Sequence, residues 1–161
     1  MNTLPDKTKP IEQQSPDMLA RMLAWAEGRG EMLAAVIGIL WSVENRVQHP
    51  TWWGKTLKDV ILKKWQYSSF NPDNPKTPQN EEDPNRHKML DPLNPKWGTE
   101  AEWDKICAAY NAVFVDGYPD PTGGATHYHD KTMLGNLPSW ATAPGTKFLC
   151  RIGDIYFYKG L

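Results

Sequence analysis

Six prolines fall between Asn71 and Gly98, among many Asn, Asp and Glu residues. Proline fixes φ and lacks a backbone N–H, so most of this stretch is barred from helix and from sheet. Any core must therefore be built from the segments on either side. A long irregular segment inside a compact domain is usually functional or mobile, and this one is placed beside a functional cleft.

The flanking segments carry clear periodicities. Ser15-Pro16-Asp17 is a helix start, with a capping hydroxyl, a proline for the first turn and an acid for the dipole. Leu19, Met22, Leu23 and Ala26 then follow at helical spacing up to Glu27. Further helices are expected over Glu31 to Val47, Thr56 to Trp65, and from Thr99 to near Gly117. In the last, Trp103, Ile106, Cys107, Tyr110, Val113 and Phe114 form one stripe, and Thr99 with Glu102 forms a capping box. Beyond it the pattern becomes β-like. Phe148 to Ile152 and Ile155 to Tyr158 flank Gly153-Asp154, a two-residue hairpin signal. The Gly123 to His129 run reads as a further strand or an extended loop. The fold class is a mainly helical α+β domain with a small antiparallel sheet near the C-terminus.

At 161 residues the chain is one domain. Residues 1–15 read as a flexible lead-in and 16–161 as the folded unit. A formal net charge of −1 gives no reason to expect nucleic acid as a partner. Mean hydropathy is −0.62, and no apolar run approaches the roughly 20 residues that span a bilayer, so no membrane insertion is expected. Cys107, on an apolar helical stripe, is expected as a buried free thiol. Eight tryptophans are many for this length; they serve the core, a sugar-binding groove, or both.

Glu27 is the first chemical candidate. It stands at the rim of a buried helical face and at the negative end of a helix dipole, two settings that raise a carboxyl pKa. A carboxyl held protonated near neutrality can donate a proton to a glycosidic oxygen. The competing reading is a solvated residue at a helix end. Glu31 opens the next helix, where the dipole favours its anion, and suits a structural role better. His127 and His129 alternate on one side of an extended segment, and with His87 or Asp130 they could be drawn as a zinc site. No His-Glu-x-x-His run supports this, so neither a metal nor another cofactor is expected. Cys150 lacks the surroundings of a nucleophile, and no Lys-Ser/Thr follows Gly123-Gly124 to make a phosphate loop.

Five elements then carry a resemblance. These are Ala26-Glu27-Gly28-Arg29-Gly30-Glu31, Asn45-Arg46-Val47, Gln66-Tyr67-Ser68, the run Asp120 to His129 (Asp-Pro-Thr-Gly-Gly-Ala-Thr-His-Tyr-His), and Ile152-Gly153 with Phe157-Tyr158. In order and spacing they resemble the SleB/CwlJ-type cell wall hydrolases, the spore-cortex-lytic family that includes phage endolysins. Gly28 stands where that family usually has alanine. Met32 and Ala35 stand where it often has proline and glycine.

The resemblance implies a lysozyme-like fold, glycan strands of peptidoglycan as partner, and cleavage between N-acetylmuramic acid and N-acetylglucosamine with Glu27 as the single acid/base. Gln66, Tyr67, Ser68, Thr126 and Tyr128 would position the glycan, and Gly123 and Gly124 would let backbone approach it. His127 and His129 would orient the loop or bind carbohydrate. A two-carboxylate route would need Asp120 or Asp130 as partner. A monomeric endolysin made in the host cytoplasm and released through a holin fits the polar N-terminus. A zinc amidase cutting the muramoyl–alanine bond, and a non-catalytic glycan-binding or virion module, are the other readings.

Overall fold

The helical half forms where its caps and stripes predict. In the computed structural model, which describes residues 2–64, 66–72 and 83–160, α1 spans Pro16–Gly28 and the Ser15 hydroxyl accepts from the Met18 N–H. α2 (Leu33–Gln48) starts at Met32 without a side-chain cap. α3 (Leu57–Leu62) is capped by Thr56; its expected end at Trp65 lies outside the described residues. In the proline-rich segment only α4 (Asn85–Lys88) is helical among the described residues, and residues 73–82 of that segment lie outside them.

α5 (Glu100–Phe114) has half of its expected capping box. Thr99 caps the Glu102 N–H. The Glu102 carboxylate, however, accepts from the Gly30 N–H at 2.9 Å and pairs with Lys105 at 2.7 Å. That side chain ties α5 to the turn after α1 instead of closing its own helix.

Three antiparallel strands, β1 (His127–Asp130), β2 (Lys147–Ile152) and β3 (Ile155–Lys159), make one sheet in the order β1-β3-β2. The Gly153-Asp154 hairpin forms as predicted, with Gly153 at φ 58°. The arrangement is a mixed α+β single domain. Leu19, Met22, Leu23, Trp25, Ile39, Leu40, Trp53, Trp103, Ile106 and Phe157 fill its core. Cys107 is buried and free. Among the described residues no helix is long and apolar enough to cross a membrane.

The N-terminal segment departs from expectation. It is fastened to the body rather than loose. Ile11 belongs to the core and Leu4 packs against it. Trp103 Nε1–H donates to the Thr3 carbonyl at 3.2 Å, Glu12 pairs with Arg86, and Lys7 pairs with Asp91. Its polar, proline-bearing sequence hides anchors that act only through tertiary contact.

The sheet meets the helices at Gly38 of α2. A Cβ there would stand 2.6 Å from the Phe157 ring and 3.1 Å from a Thr122 methyl. Both neighbours are buried, so the missing methyl is what lets α2 and β3 approach. Gly38→Ala should destabilise the protein by about 2 kcal/mol, a strain cost outweighing any helix-propensity gain. Thermal unfolding should show a midpoint lower by roughly 4–8 °C; an unchanged midpoint would mean that the interface has slack.

Candidate active site

Glu27 is the penultimate residue of α1, and Gly28 sets where that helix end lies. A Cβ at Gly28 would press on Val36 and Ile39 of α2 at 3.2 and 3.3 Å. Glycine in place of the family's usual alanine thus has a packing counterpart. It keeps the two helices close and carries Glu27 under the sheet.

The Glu27 residue is partly accessible, yet its carboxyl is closely walled by protein. Burial raises its pKa to about 7, with further help from the charges of Asp83 and Asp130; the Tyr128 hydroxyl acts in the opposite direction. Tyr128 and Tyr67 flank it. Both phenols are buried; among the described residues the Tyr67 hydroxyl has no hydrogen-bond partner, the Tyr128 hydroxyl is turned to the Glu27 carboxyl, and burial raises both of their pKa values. Buried polar groups are nearly always satisfied, so the Tyr67 hydroxyl, without a partner among the described residues beside this carboxyl, is an exception that needs a cause. Ser69 Oγ, also buried, is another such group among the described residues, in the same stretch as Tyr67.

What seats these groups is a pair of side chains from the last turns of α2. Arg46 is buried, donates from Nε to the Thr126 carbonyl at 2.7 Å and from Nη1 to Gln66 Oε1 at 3.0 Å, and lies over the Trp53 ring at 5.1 Å and the Tyr67 ring at 5.7 Å. Asn45 Nδ2 donates to Asp120 Oδ2 and to the Ala125 carbonyl, each at 2.9 Å. Helix, Gln66–Tyr67 segment and β1 are thereby locked together.

Asp120 braces the glycine-rich turn. Its carboxylate also accepts from the Thr122 N–H at 2.8 Å, the Thr122 hydroxyl at 2.7 Å and the Gly124 N–H at 2.9 Å. With four donors on two oxygens it is committed to structure. Gly123 and Gly124 have φ of 75° and 102° and open space where a Cβ would be. The turn requires their conformation, and their backbone is open to approach. Asp130 accepts from the Thr132 N–H and hydroxyl at the start of a 3-10 turn.

β1 divides the expected site residues between two faces. Tyr128 points inward with Phe157, towards Glu27. His127 and His129 share the outer face, where each packs on Trp140. The His129 ring stacks on Tyr156, donates from Nδ1 to the Asp130 carbonyl at 2.8 Å and accepts at Nε2 from the Tyr158 hydroxyl at 2.9 Å. Both its nitrogens are engaged. His127 bonds the Thr126 hydroxyl through Nδ1 at 2.9 Å, and burial with the nearby Arg46 charge lowers its pKa to about 4, so it is neutral near pH 7. The structure thus brings Glu27, Tyr67 and Tyr128 together, sets Gln66 beside them through Arg46, and does not bring the two imidazoles to that cluster. Thr126 is occupied, receiving the Gly160 N–H at 2.9 Å. Ser68 donates to Asp83 at 2.8 Å.

Asp83, Asn45 and Arg46 were given no role from sequence. Asp83 sits in the proline-rich segment, where nothing local distinguishes it from its acidic neighbours. Arg29 donates to Asn85 at 2.8 Å and lies over Trp25. Glu31 lies against the hairpin turn, with Oε2 3.5 Å from where a Gly153 Cβ would be. Among the described residues no three His, Cys, Asp or Glu side chains converge as metal ligands.

Residues 30–158 match the family described as Cell Wall Hydrolase. The matched stretch includes Glu31, Asn45-Arg46, Gln66 to Ser68 and Asp120 to His129, and it begins just past Glu27, whose candidacy therefore rests on geometry. No curated protein and no solved structure matches the chain. With the match covering most of its length, the chain belongs to the cell wall hydrolase family, enzymes that act on peptidoglycan.

Proposed function

We propose that the protein is an endolysin that cleaves the β-1,4 bond between N-acetylmuramic acid and N-acetylglucosamine, with Glu27 as its only acid/base. The observation that carries this is the Glu27 carboxyl, walled in between the phenols of Tyr67 and Tyr128 and raised to a pKa of about 7. Glu27 protonates the glycosidic oxygen and the bond to the anomeric carbon breaks. The oxocarbenium-like centre is captured by the muramoyl 6-hydroxyl, whose proton returns to Glu27. Tyr128 donates to the carboxylate between the two proton transfers, and Tyr67 and the amide N–H groups of Gln66 hold the sugar.

The single-acid route is supported by Asp120, one candidate second carboxylate, having its oxygens filled by the turn it braces; Asp130 is the other candidate for a hydrolytic route. Mass spectrometry of digested peptidoglycan tests this. Muramic acid with a 1,6-anhydro ring supports transglycosylation, a reducing muramic end would shift the reading to a muramidase, and shed peptides without glycan cleavage would overturn it for an amidase.

The pH profile supplies a sharper expectation. The active form has Glu27 protonated, so kcat/KM on cell walls should fall as pH rises through about 7. The Tyr128 hydroxyl lowers the Glu27 pKa. Tyr128→Phe should therefore move that falling limb to higher pH while reducing the maximal rate by roughly tenfold. A limb that stays in place would separate Tyr128 from Glu27.

A further inference from the structure

At the far end of β1 from Asp130, a cavity of about 250 Å³ opens between the end of α2, the turn at Trp53 and the end of β3. Trp53, Gly124, Thr126 and Gly160 wall it, with His49 at its rim, and Lys159 supplies a cation. It is somewhat smaller than the roughly 300–1,000 Å³ of a cleft that encloses a whole small ligand. That size suits one branch of a larger molecule.

Charge narrows the choice of branch. Lys159 stands opposite Lys147 in the β2–β3 register, and neither ammonium is in an ion pair among the described residues. Like charges directly opposite destabilise an antiparallel pair, and here no acid offsets them. The neighbouring His127 is neutral near pH 7 and adds nothing to the field. An anion is the natural complement.

Position narrows it again. Tyr128 pairs with Phe157, and Lys159 lies two residues further along β3, so strand alternation puts all three on one face. That face looks towards Glu27. From Tyr128 to Thr126 at the cavity wall is two residues, about 7 Å of strand. An extended tripeptide reaches about 10 Å, longer than that span.

We infer that this cavity binds the peptide stem of peptidoglycan, with a stem carboxylate against Lys159, Lys147 across the register adding to the positive field, and the stem's aliphatic side chains against Trp53. The inference rests on the glycan reading at Glu27 for its geometry and extends it to a second part of the substrate. The enzyme would then prefer muramic acid that carries its stem.

The test uses the full chain and the double charge reversal Lys147→Glu with Lys159→Glu, neither residue being part of the machinery at Glu27. Binding of a free stem tripeptide is followed by NMR, together with KM on intact walls and on glycan stripped of its stems by an amidase. The wild type should bind the tripeptide, more weakly as salt rises. The reversal should weaken that binding and raise KM on intact walls roughly tenfold, with kcat and all constants on stripped glycan unchanged. A tripeptide that fails to bind, or binds both proteins alike, overturns the inference. So does an equal KM rise on stripped glycan, which would put sugar against the lysines. Peptide binding is read without turnover, so a protein that binds the tripeptide but cuts no glycan would support the stem site while overturning the reading at Glu27.

Discussion

Glu27→Gln should lower activity on purified cell walls by about a thousandfold or more and, at the same time, make the protein more stable in mild base. Glutamine keeps the size and much of the hydrogen bonding of the protonated acid but has no proton to give. The stability effect follows from the direction of the pKa shift. Below about 4.5, the ordinary carboxyl value, Glu27 is protonated whether the chain is folded or not. As pH rises from there towards 7 the unfolded chain releases this proton while the folded one retains it. Wild-type stability therefore drops across that window and stays low above it.

A shift from 4.5 to about 7 corresponds to at most about 3 kcal/mol. Urea unfolding at about pH 5 and about pH 8 should show the Gln variant gaining on the wild type by 1–3 kcal/mol over that interval. Parallel stabilities at the two pH values would mean that Glu27 ionises freely in the folded protein. Full activity would move the chemistry to Glu31 or away from glycosidic cleavage.

Arg46→Met should have the largest effect on the fold. It removes the donors to Thr126 and Gln66 and leaves the Thr126 carbonyl, inside the protein, without that partner. It also removes the cation from between Trp53 and Tyr67. Losing one side of a buried charged arrangement costs about 3 kcal/mol, or a midpoint lower by roughly 6–12 °C in thermal unfolding. At temperatures where the variant is folded, kcat should still fall at least roughly tenfold, because β1 no longer holds Tyr128 over the acid. Arg46→Lys should recover only part of this, since one ammonium cannot aim at two acceptors as a guanidinium does. The His127 titration is an independent readout. Arg46 contributes to keeping it near 4, so in the Met variant it should move upward while remaining depressed by burial. An unmoved His127 would place Arg46 elsewhere.

The helices and the hairpin were legible because their signals are local. Ser15 and Thr99 cap as read, and the stripes from Leu19 to Ala26 and from Trp103 to Phe114 face inward. Glu27 at the rim of the first stripe follows from helical spacing. The rest of the site depends on pairing between distant segments. That Tyr128 faces Glu27 while His127 and His129 turn away is set by the register of β1 against β3, which no short window contains. Asp120 could have been recognised as a turn brace, since aspartate two residues before a threonine in a glycine-rich run commonly caps its own backbone. Its hold on Asn45 could not. The anchoring of residues 3–12 was illegible for the same reason, because Ile11 becomes core only once the helices give it a surface.

The most direct measurement is the titration of the Glu27 side-chain carboxyl, followed by carbon NMR on protein labelled at glutamate, with Glu27→Gln identifying the signal. A midpoint near 7 is expected. A midpoint at the ordinary glutamate value, about 4.3, would contradict it, because an acid already ionised at neutral pH has no proton to deliver to the glycan.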